Sequence, residues 1–148
     1  MNDFTWTVRV RTDAKCNTVH ARNNAFSVGQ PLSFAPTDSL PCAIEVALGA
    51  LAADLSGTFR KLASRQRITV DALEFSATCR LGNPLVPVGV IGETGNPGIA
   101  AIDGTLYVSA DADEPVLESI WSDALARSPL YATFGRAAEL TVRMQITD

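Results

Sequence analysis

The chain has 148 residues, of which 47% are hydrophobic and 19% are charged, and its formal net charge is −4. This composition is typical of a folded globular protein and excludes a largely disordered chain. The acidic balance argues against a surface that follows nucleic-acid phosphates, and the length predicts a single domain over residues 1–148.

The sequence shows no targeting, membrane or metal-binding signal. Its N-terminus alternates polar and apolar residues, and Glu45 and Asp54 interrupt the longest apolar stretch at residues 40–55, so neither a signal peptide nor a membrane span is expected. A single histidine and three cysteines without CxxC spacing predict neither a zinc site nor a disulfide scaffold. We therefore expect a cytoplasmic protein without a metal, a cofactor, or a nucleic-acid or membrane partner.

The N-terminal quarter is predicted to form three strands. In residues 4–11, FTWTVRVR, apolar and polar residues alternate as they do in a half-buried strand. Two shorter strands are expected near residues 18–22 and 25–28. The following segment, GQPLSFAPTDS, is rich in glycine, proline and small polar residues and predicts a loop.

A long helix is predicted next. Asp38 or Ser39 is expected to cap it, and Pro41 is acceptable in its first turn because no backbone donor is needed there. Apolar residues recur at helical spacing along one stripe, namely at Ile44, Leu48, Leu51, Leu55, Phe59 and Leu62. Small residues flank this stripe on both sides, which indicates a central helix with closely packed neighbours.

The second half of the chain is predicted to contain four strands and one helix. The strands correspond to ITVDALEFSATCR, LVPVGVI, TLYVSA and AELTVRMQITD, with a long loop at residues 92–104. Asp113 is expected to cap the helix, and Ser128 and Pro129 to end it, since the residue before a proline avoids the helical region. The resulting order, β-β-β-α-β-β-β-α-β, defines an α+β fold.

Two motifs and the order of the elements resemble a known family. LPCAIEVALGALAADL resembles the helix P-x-E-x-LL-x-ALGAC-x-x-x-x-L of the OsmC/Ohr family, the osmotically induced protein C and organic hydroperoxide resistance proteins. ARSPLYATF resembles the CPVxxTL segment that follows the second helix of that family. The resemblance implies an OsmC-like fold and an intertwined homodimer with its site at the interface.

The resemblance also implies reduction of organic hydroperoxides by two cysteines, one of which attacks the peroxide and the other of which closes a disulfide. It aligns Leu51 with the attacking cysteine and Ser128 with the resolving cysteine. Cys42 falls where the family has a glutamate that holds an arginine, and no arginine occurs between Arg22 and Arg60. The chain therefore departs from the catalytic pattern of the family at all four positions.

Two hypotheses follow for the interface pocket, whose candidate residues are Cys42, Glu45, Leu51, Ser128 and Tyr131. In the first, which we favour, the site is degenerate and binds a small apolar molecule in a non-catalytic dimer. In the second, Cys42 is the single redox cysteine of an organic hydroperoxide reductase and is reduced by an outside thiol. Nine helical residues place Cys42 opposite Leu51, so Cys42 could serve that position only across a dimer interface.

Each of these residues also has a simpler structural interpretation. Cys42 is most simply a small thiol in a packed turn, Ser128 a helix cap, and Tyr131 a core or interface aromatic. Cys79 is expected to be buried on the apolar face of its strand, and Cys16 to be an exposed thiol without a partner.

Overall fold

The computed structural model describes residues 4–32 and 39–148. Two three-stranded sheets and three helices follow one another as β1 (Arg9–Thr12), β2 (Asn17–Ala21), β3 (Asn24–Val28), α1 (Ala43–Arg65), β4 (Val70–Leu81), β5 (Ile99–Ala110), α2 (Glu114–Arg127), α3 (Pro129–Ala137) and β6 (Glu139–Ile146). The predicted α+β class is confirmed. The element order differs from the prediction by one strand that is missing and one helix that is added.

The first sheet is an antiparallel meander of β1, β2 and β3 with two chemically different faces. Val10 pairs directly with Val19, and Val19 with Phe26, so these three side chains lie on one face. Arg9 pairs with His20 on the other face. The strand predicted to start at residue 4 starts at residue 9, and residues 4–8 precede it outside the sheet.

The second sheet carries the core. β4 pairs antiparallel with β5, and β5 pairs parallel with β6, so α2 and α3 form the crossover that a parallel connection requires. The fully buried apolar side chains of this core come from α1, β5 and α2, and the largest of them are Leu51, Leu55, Phe59, Ile102, Leu106, Leu117 and Ile120. α1 is therefore the long central helix that was predicted, but of its small flanking residues Ala43, Gly49, Ala50 and Ala53 are exposed, so the closely packed neighbours predicted on that side are not present within one chain.

Gly104 in β5 allows the ring of Phe75 in β4 to lie against the strand backbone. A Cβ atom on Gly104 would be 2.7 Å from two ring carbons of Phe75, closer than non-bonded atoms approach. The absence of a side chain at residue 104 therefore sets how deeply the Phe75 ring packs.

The strand predicted at LVPVGVI is wrong, because these residues form turns. Gly89 and Gly92 adopt φ angles of +82° and +85°, which do not occur in a strand, and Pro87 has no N–H to donate to a neighbouring strand. The predicted loop at residues 92–104 is too long, since β5 begins at Ile99.

The residues after Ser128, where only the end of a helix was predicted, form the first turn of α3. Pro129 occupies the first helical position, where its missing N–H is not needed. The Ser128 hydroxyl caps this helix by accepting the N–H of Tyr131 at 3.0 Å. Ser128 thus ends α2, as predicted, and also caps α3, a helix that was not predicted because Pro129 indicated a helix end.

α1 begins later than predicted. Its N-cap is Cys42 rather than Ser39, while the alternative cap Asp38 lies outside the described residues. The carboxylate of Glu45 accepts the N–H of Cys42 at 2.7 Å, as the acidic member of a capping box does. Pro41 consequently precedes the helix instead of lying in its first turn.

Candidate functional site

Leu51 lies in the interior of the single chain. Its side chain is 0% exposed and belongs to the apolar cluster that α1 forms with β5 and α2. Full burial of a leucine side chain contributes about 1.5–3 kcal/mol to folding. The helix position that resembles the attacking-cysteine position therefore has neither a nucleophile nor an exposed surface within one chain.

Ser128 is held in a hydrogen-bonded network between α1 and α3. It is 2% exposed, and its hydroxyl donates to Oδ2 of Asp54 at 2.6 Å while it accepts the N–H of Tyr131. The same Asp54 oxygen accepts the N–H of Leu130 at 3.1 Å. The hydroxyl thus uses its single donor and one of its acceptor lone pairs, and these contacts are those of a structural residue.

Asp54 is a site residue that the sequence analysis did not identify as one. The sequence does contain an indication of Asp54, because an acidic residue interrupts the apolar helix three positions after Leu51. Residues three apart lie on the same side of a helix, so Asp54 is a close neighbour of Leu51 on α1. Only the tertiary structure shows that the partner of this carboxylate is Ser128.

The structure divides the five predicted site residues into two groups. Leu51, Ser128 and Tyr131 belong to the region where α1 and α3 meet, and Tyr131 packs half-buried against the core. Cys42 and Glu45 lie at the start of α1, and nine residues of helix separate Cys42 from Leu51 by about 13 Å. One chain alone does not bring the five residues into one pocket.

A small apolar groove lies between α1 and β4. Its volume is about 250 Å³, slightly below the range of typical ligand sites, and its lining residues are Glu45, Leu48, Gly49, Ala52, Phe75 and Ala77. Glu45 is the only charged member of this lining. The groove thus offers apolar walls with one carboxylate at the end where α1 begins.

A second hollow lies on the other side of the α1 start. It has a volume of about 260 Å³ and is lined by residues 29–32, by Asn17, and by Cys42 with the two residues that follow it. Cys42 is half-buried at its wall. The thiol is therefore partly accessible rather than enclosed.

All three cysteines are free thiols and all are half-buried, so the prediction that Cys16 is exposed is wrong in degree. Burial raises the pKa of the Cys79 thiol above its ordinary value of 9.0, and the proximity of Cys42 raises this pKa further. The nearness of these two cysteines could not be seen in the sequence, where 36 residues lie between them.

Within residues 4–32 and 39–148, no helix is long and apolar enough to cross a membrane. The same ranges contain no group of three or more His, Cys, Asp or Glu side chains arranged to hold a metal ion.

The fold defines the class of the protein: an α+β domain in which a long helix, buried along one face, connects two small sheets. The model of the OsmC-like protein family matches residues 36–143, most of the chain, and the chain belongs to this family. The predicted family is thereby confirmed. No curated protein sequence matches the chain.

Solved structures share the fold at low sequence identity. An OsmC-like protein from Mycoplasma pneumoniae superposes with a TM-score of 0.80 at 16% identity, over 99% of both chains. An organic hydroperoxide resistance protein OsmC from Legionella pneumophila gives a TM-score of 0.67 at 10% identity, over 98% of this chain and 99% of the other. The organic hydroperoxide resistance protein OhrB of Bacillus subtilis gives 0.61 at 16% identity, over 96% and 98%. These similarities establish the fold.

Proposed function

We propose that this chain is a non-catalytic, homodimeric OsmC-like protein that binds a small apolar molecule in the groove between α1 and β4. The observation that carries the proposal is the state of the two positions aligned with the family cysteines. Leu51 is 0% exposed in the core, and the Ser128 hydroxyl is engaged by Asp54 at 2.6 Å. Because both positions serve packing and hydrogen bonding and neither supplies a thiol, they favour a binding role over redox chemistry.

An exposed apolar face on the N-terminal region supports the homodimer. Phe4 and Trp6 are 83% and 82% exposed and stack at a centroid distance of 6.4 Å. Val8, Val10 and Phe26 are 60%, 51% and 47% exposed. Contiguous apolar surface of this kind marks an interaction site. A second copy of the chain is the occupant that the intertwined dimer of the family leads us to expect.

The dimer can be tested with two substitutions on the same stretch of chain. Trp6→Ser removes apolar area from the exposed face, whereas Arg9→Ser alters the opposite, polar face of the first sheet. Sedimentation equilibrium should show a dimer whose dissociation constant rises at least tenfold for Trp6→Ser and stays unchanged for Arg9→Ser. A monomeric wild type, or equal effects of both substitutions, would contradict the proposal.

Ligand binding can be tested with a neutral naphthylamine dye, whose fluorescence increases in an apolar site. Gly49 lines the groove, and Gly57 on the same helix does not; neither has a neighbouring atom within 4 Å of a Cβ position. Gly49→Leu should fill the groove and abolish dye binding, while Gly57→Leu should retain it. Unchanged binding by Gly49→Leu would show that the groove is not the site.

A hydroperoxide reductase that uses Cys42 is the second candidate function. Its support is the partly accessible thiol of Cys42, together with structural relatives from Legionella and Bacillus that are organic hydroperoxide resistance proteins. Cumene hydroperoxide consumption should be measured with dithiothreitol as reductant, in the wild type and in Cys42→Ser. Turnover by the wild type that disappears in Cys42→Ser would establish the reductase function and refute the non-catalytic one. Wild-type turnover no faster than in buffer alone would refute the reductase function.

A further inference from the structure

The polar face of the first sheet brings cationic side chains together. Arg9 and Arg11 are alternate residues of β1, so their side chains project from the same face. On the neighbouring strand, Arg9 pairs with His20 and Arg11 pairs with Thr18. Directly paired residues of adjacent strands place their side chains on one face, about 5 Å apart. The four residues therefore form a compact block in which every side chain can donate a hydrogen bond.

A hollow lies at this block. Its volume is about 460 Å³, and it is lined by Arg9, Val10, Arg11 and His20. This volume is within the range of about 300–1,000 Å³ that small-molecule sites occupy. Both arginines are exposed and His20 is half-buried. The hollow is therefore open to a small ligand and carries two permanent positive charges.

The chain supplies no close counter-ion for these charges. In the part of the chain that the structure describes, Arg9 has no ion-pair partner, and Arg11 has only the electrostatic attraction of Asp13. The Asp13 carboxylate accepts the backbone N–H groups of Lys15 at 2.7 Å and of Cys16 at 3.1 Å. These hydrogen bonds are the main causes that lower the pKa of Asp13, and Arg11 lowers that pKa to a smaller extent. The carboxylate nearest in sequence is thus engaged by the turn after β1, and both guanidinium groups keep their donors available.

The charge of this region is opposite to that of the rest of the chain. Residues 1–32 contain four basic and two acidic residues, whereas the remaining residues contain eight basic and 14 acidic ones. Alternate residues of a strand lie about 6.8 Å apart, so the two guanidinium groups of β1 repel each other. A bound anion attracts both groups and offsets this repulsion. Unpaired like charges beside a hollow therefore indicate a site for an anion.

We propose that the hollow binds a dianionic phosphate group, as inorganic phosphate or as a phosphate monoester. A phosphate monoester carries about 1.5 to 2 negative charges at neutral pH, which match the two guanidinium charges. The planar guanidinium group donates two parallel hydrogen bonds to phosphate oxygens. The His20 imidazole and the Thr18 hydroxyl add donors from the neighbouring strand. A carboxylate ligand, with one charge and two oxygens, would leave part of this donor set unused.

This inference goes beyond the proposed function, because it concerns a different site and a charged ligand. The apolar groove lies between α1 and β4, and the apolar face proposed to bind a second copy is on the other side of the first sheet. The phosphate site should therefore stay accessible in the dimer. Dimerisation and dye binding are measured without phosphate, so their failure and the failure of this proposal are distinguishable.

The test uses nuclear magnetic resonance of the full-length, untagged protein. His20 is the only histidine of the chain, so its imidazole C–H signals report on the hollow without overlap from other histidines. The protein is titrated with phenyl phosphate and with inorganic phosphate at constant pH, and chloride keeps the ionic strength constant. A saturable shift with a dissociation constant below about 1 mM is expected for at least one of them. The tighter ligand shows whether the monoester or the free ion is preferred, and weaker or unsaturable binding of both would overturn the proposal.

Benzoate is the matched control ligand, because it has the ring of phenyl phosphate but a single charge and two oxygens. It should bind at least about tenfold more weakly than the tighter phosphate ligand, since it leaves charge-assisted hydrogen bonds unmade. Equal affinities would overturn the assignment to phosphate.

Variants of exposed residues show whether the hollow itself is the site. Arg9→Gln and Arg11→Gln should each weaken phosphate binding at least about tenfold, because each removes charge-assisted hydrogen bonds. Lys15→Gln removes the same charge from a turn of the same sheet, outside the hollow, and should change the dissociation constant by less than about twofold, because salt screens an exposed distant charge. Equal weakening by Lys15→Gln would overturn the proposal, since it would indicate a general attraction of anions to this sheet. Circular dichroism checks the fold of each variant, and the wild-type titrations decide the proposal even where a variant fails to fold.

Discussion

The two sheets of this protein have the same alternation of apolar and polar residues but opposite surroundings. The second sheet turns its apolar face towards α1 and α2, which bury it. Of the first sheet, only Val28 is buried, and the apolar side chains of Val10 and Phe26 are about half exposed. Its strands make extensive contacts only with one another among the described residues. Alternation therefore predicts which face of a sheet must be buried. It does not predict which other element, or which partner, buries that face.

The largest expected effect tests whether the second sheet and its helices are self-sufficient. Leu51→Ala should lower the free energy of unfolding by about 2–5 kcal/mol, because it leaves a cavity in the core. Val10→Ala on the first sheet should change the unfolding of the separated monomer by less than about 0.5 kcal/mol. Urea titrations followed by circular dichroism measure both values. Similar losses from both substitutions would remove the contrast between the two regions.

Gly104→Ala should have the next largest effect, because the new methyl group would meet the Phe75 ring at 2.7 Å. Overpacking of this kind costs about 1–3 kcal/mol of unfolding free energy. Gly57→Ala is the matched control, since a methyl group there has no neighbour within 4 Å and alanine favours the helix. Gly57→Ala should stabilise the protein slightly, and a Gly104→Ala protein of unchanged stability would disprove the tight Phe75 contact.

A smaller loss of unfolding free energy is expected when the hydrogen-bond network that joins α3 to α1 is broken. Ser128→Ala removes the hydroxyl bound to Asp54, and the half-buried carboxylate can recover some hydration, so we expect a loss of about 1 kcal/mol. A double-mutant cycle with Asp54→Ala should give a coupling energy of at least about 0.5 kcal/mol. Additive losses would show that the two side chains act independently.

The smallest effect concerns the pH dependence of Cys79. Its folded-state pKa is raised above 9.0, so the folded protein favours the protonated thiol. This contribution to stability is complete below pH 9.0 and is lost as the pH rises through the folded pKa. At pH 8, iodoacetamide should therefore alkylate Cys79 more slowly in the folded protein than in urea. Equal alkylation rates in the two states would indicate that neither burial nor Cys42 raises the pKa of Cys79.

Local periodicity predicted the elements whose pattern is complete. α1, α2, β4 and β6 follow from recurring apolar residues, and the core side chains Leu51, Leu55 and Phe59 follow with them. α3 was missed because Ser128 and Pro129 signal a helix end, and the same two residues also begin a helix. Residues 85–91 were misassigned because valine and leucine favour strands locally, whereas Gly89 and Gly92 require turns.

The site depended on contacts between residues that are distant in sequence. Asp54 and Ser128 are 74 positions apart, and no local pattern connects a carboxylate on one helix with a cap on another. Cys42 and Cys79, with 36 residues between them, are likewise close enough for Cys42 to raise the pKa of Cys79, and no local pattern relates the start of α1 to β4. The resemblance predicts that Leu51 and Ser128 align with the family cysteines, and the tertiary structure shows Leu51 buried in the apolar core and Ser128 hydrogen-bonded to Asp54.

The contact between Gly104 and Phe75 also determines how β4 and β5 align. Residues 82–98 form a long connection, and a long connection does not impose a strand register as a tight hairpin turn does. In the observed register Phe75 pairs directly with Leu106, and its ring extends over the diagonal neighbour Gly104. A slip of two residues would keep the apolar face towards the helices, but it would place the side chain of Ile102 or Leu106 at that diagonal position. One glycine thus favours the observed pairing over others that the apolar pattern allows.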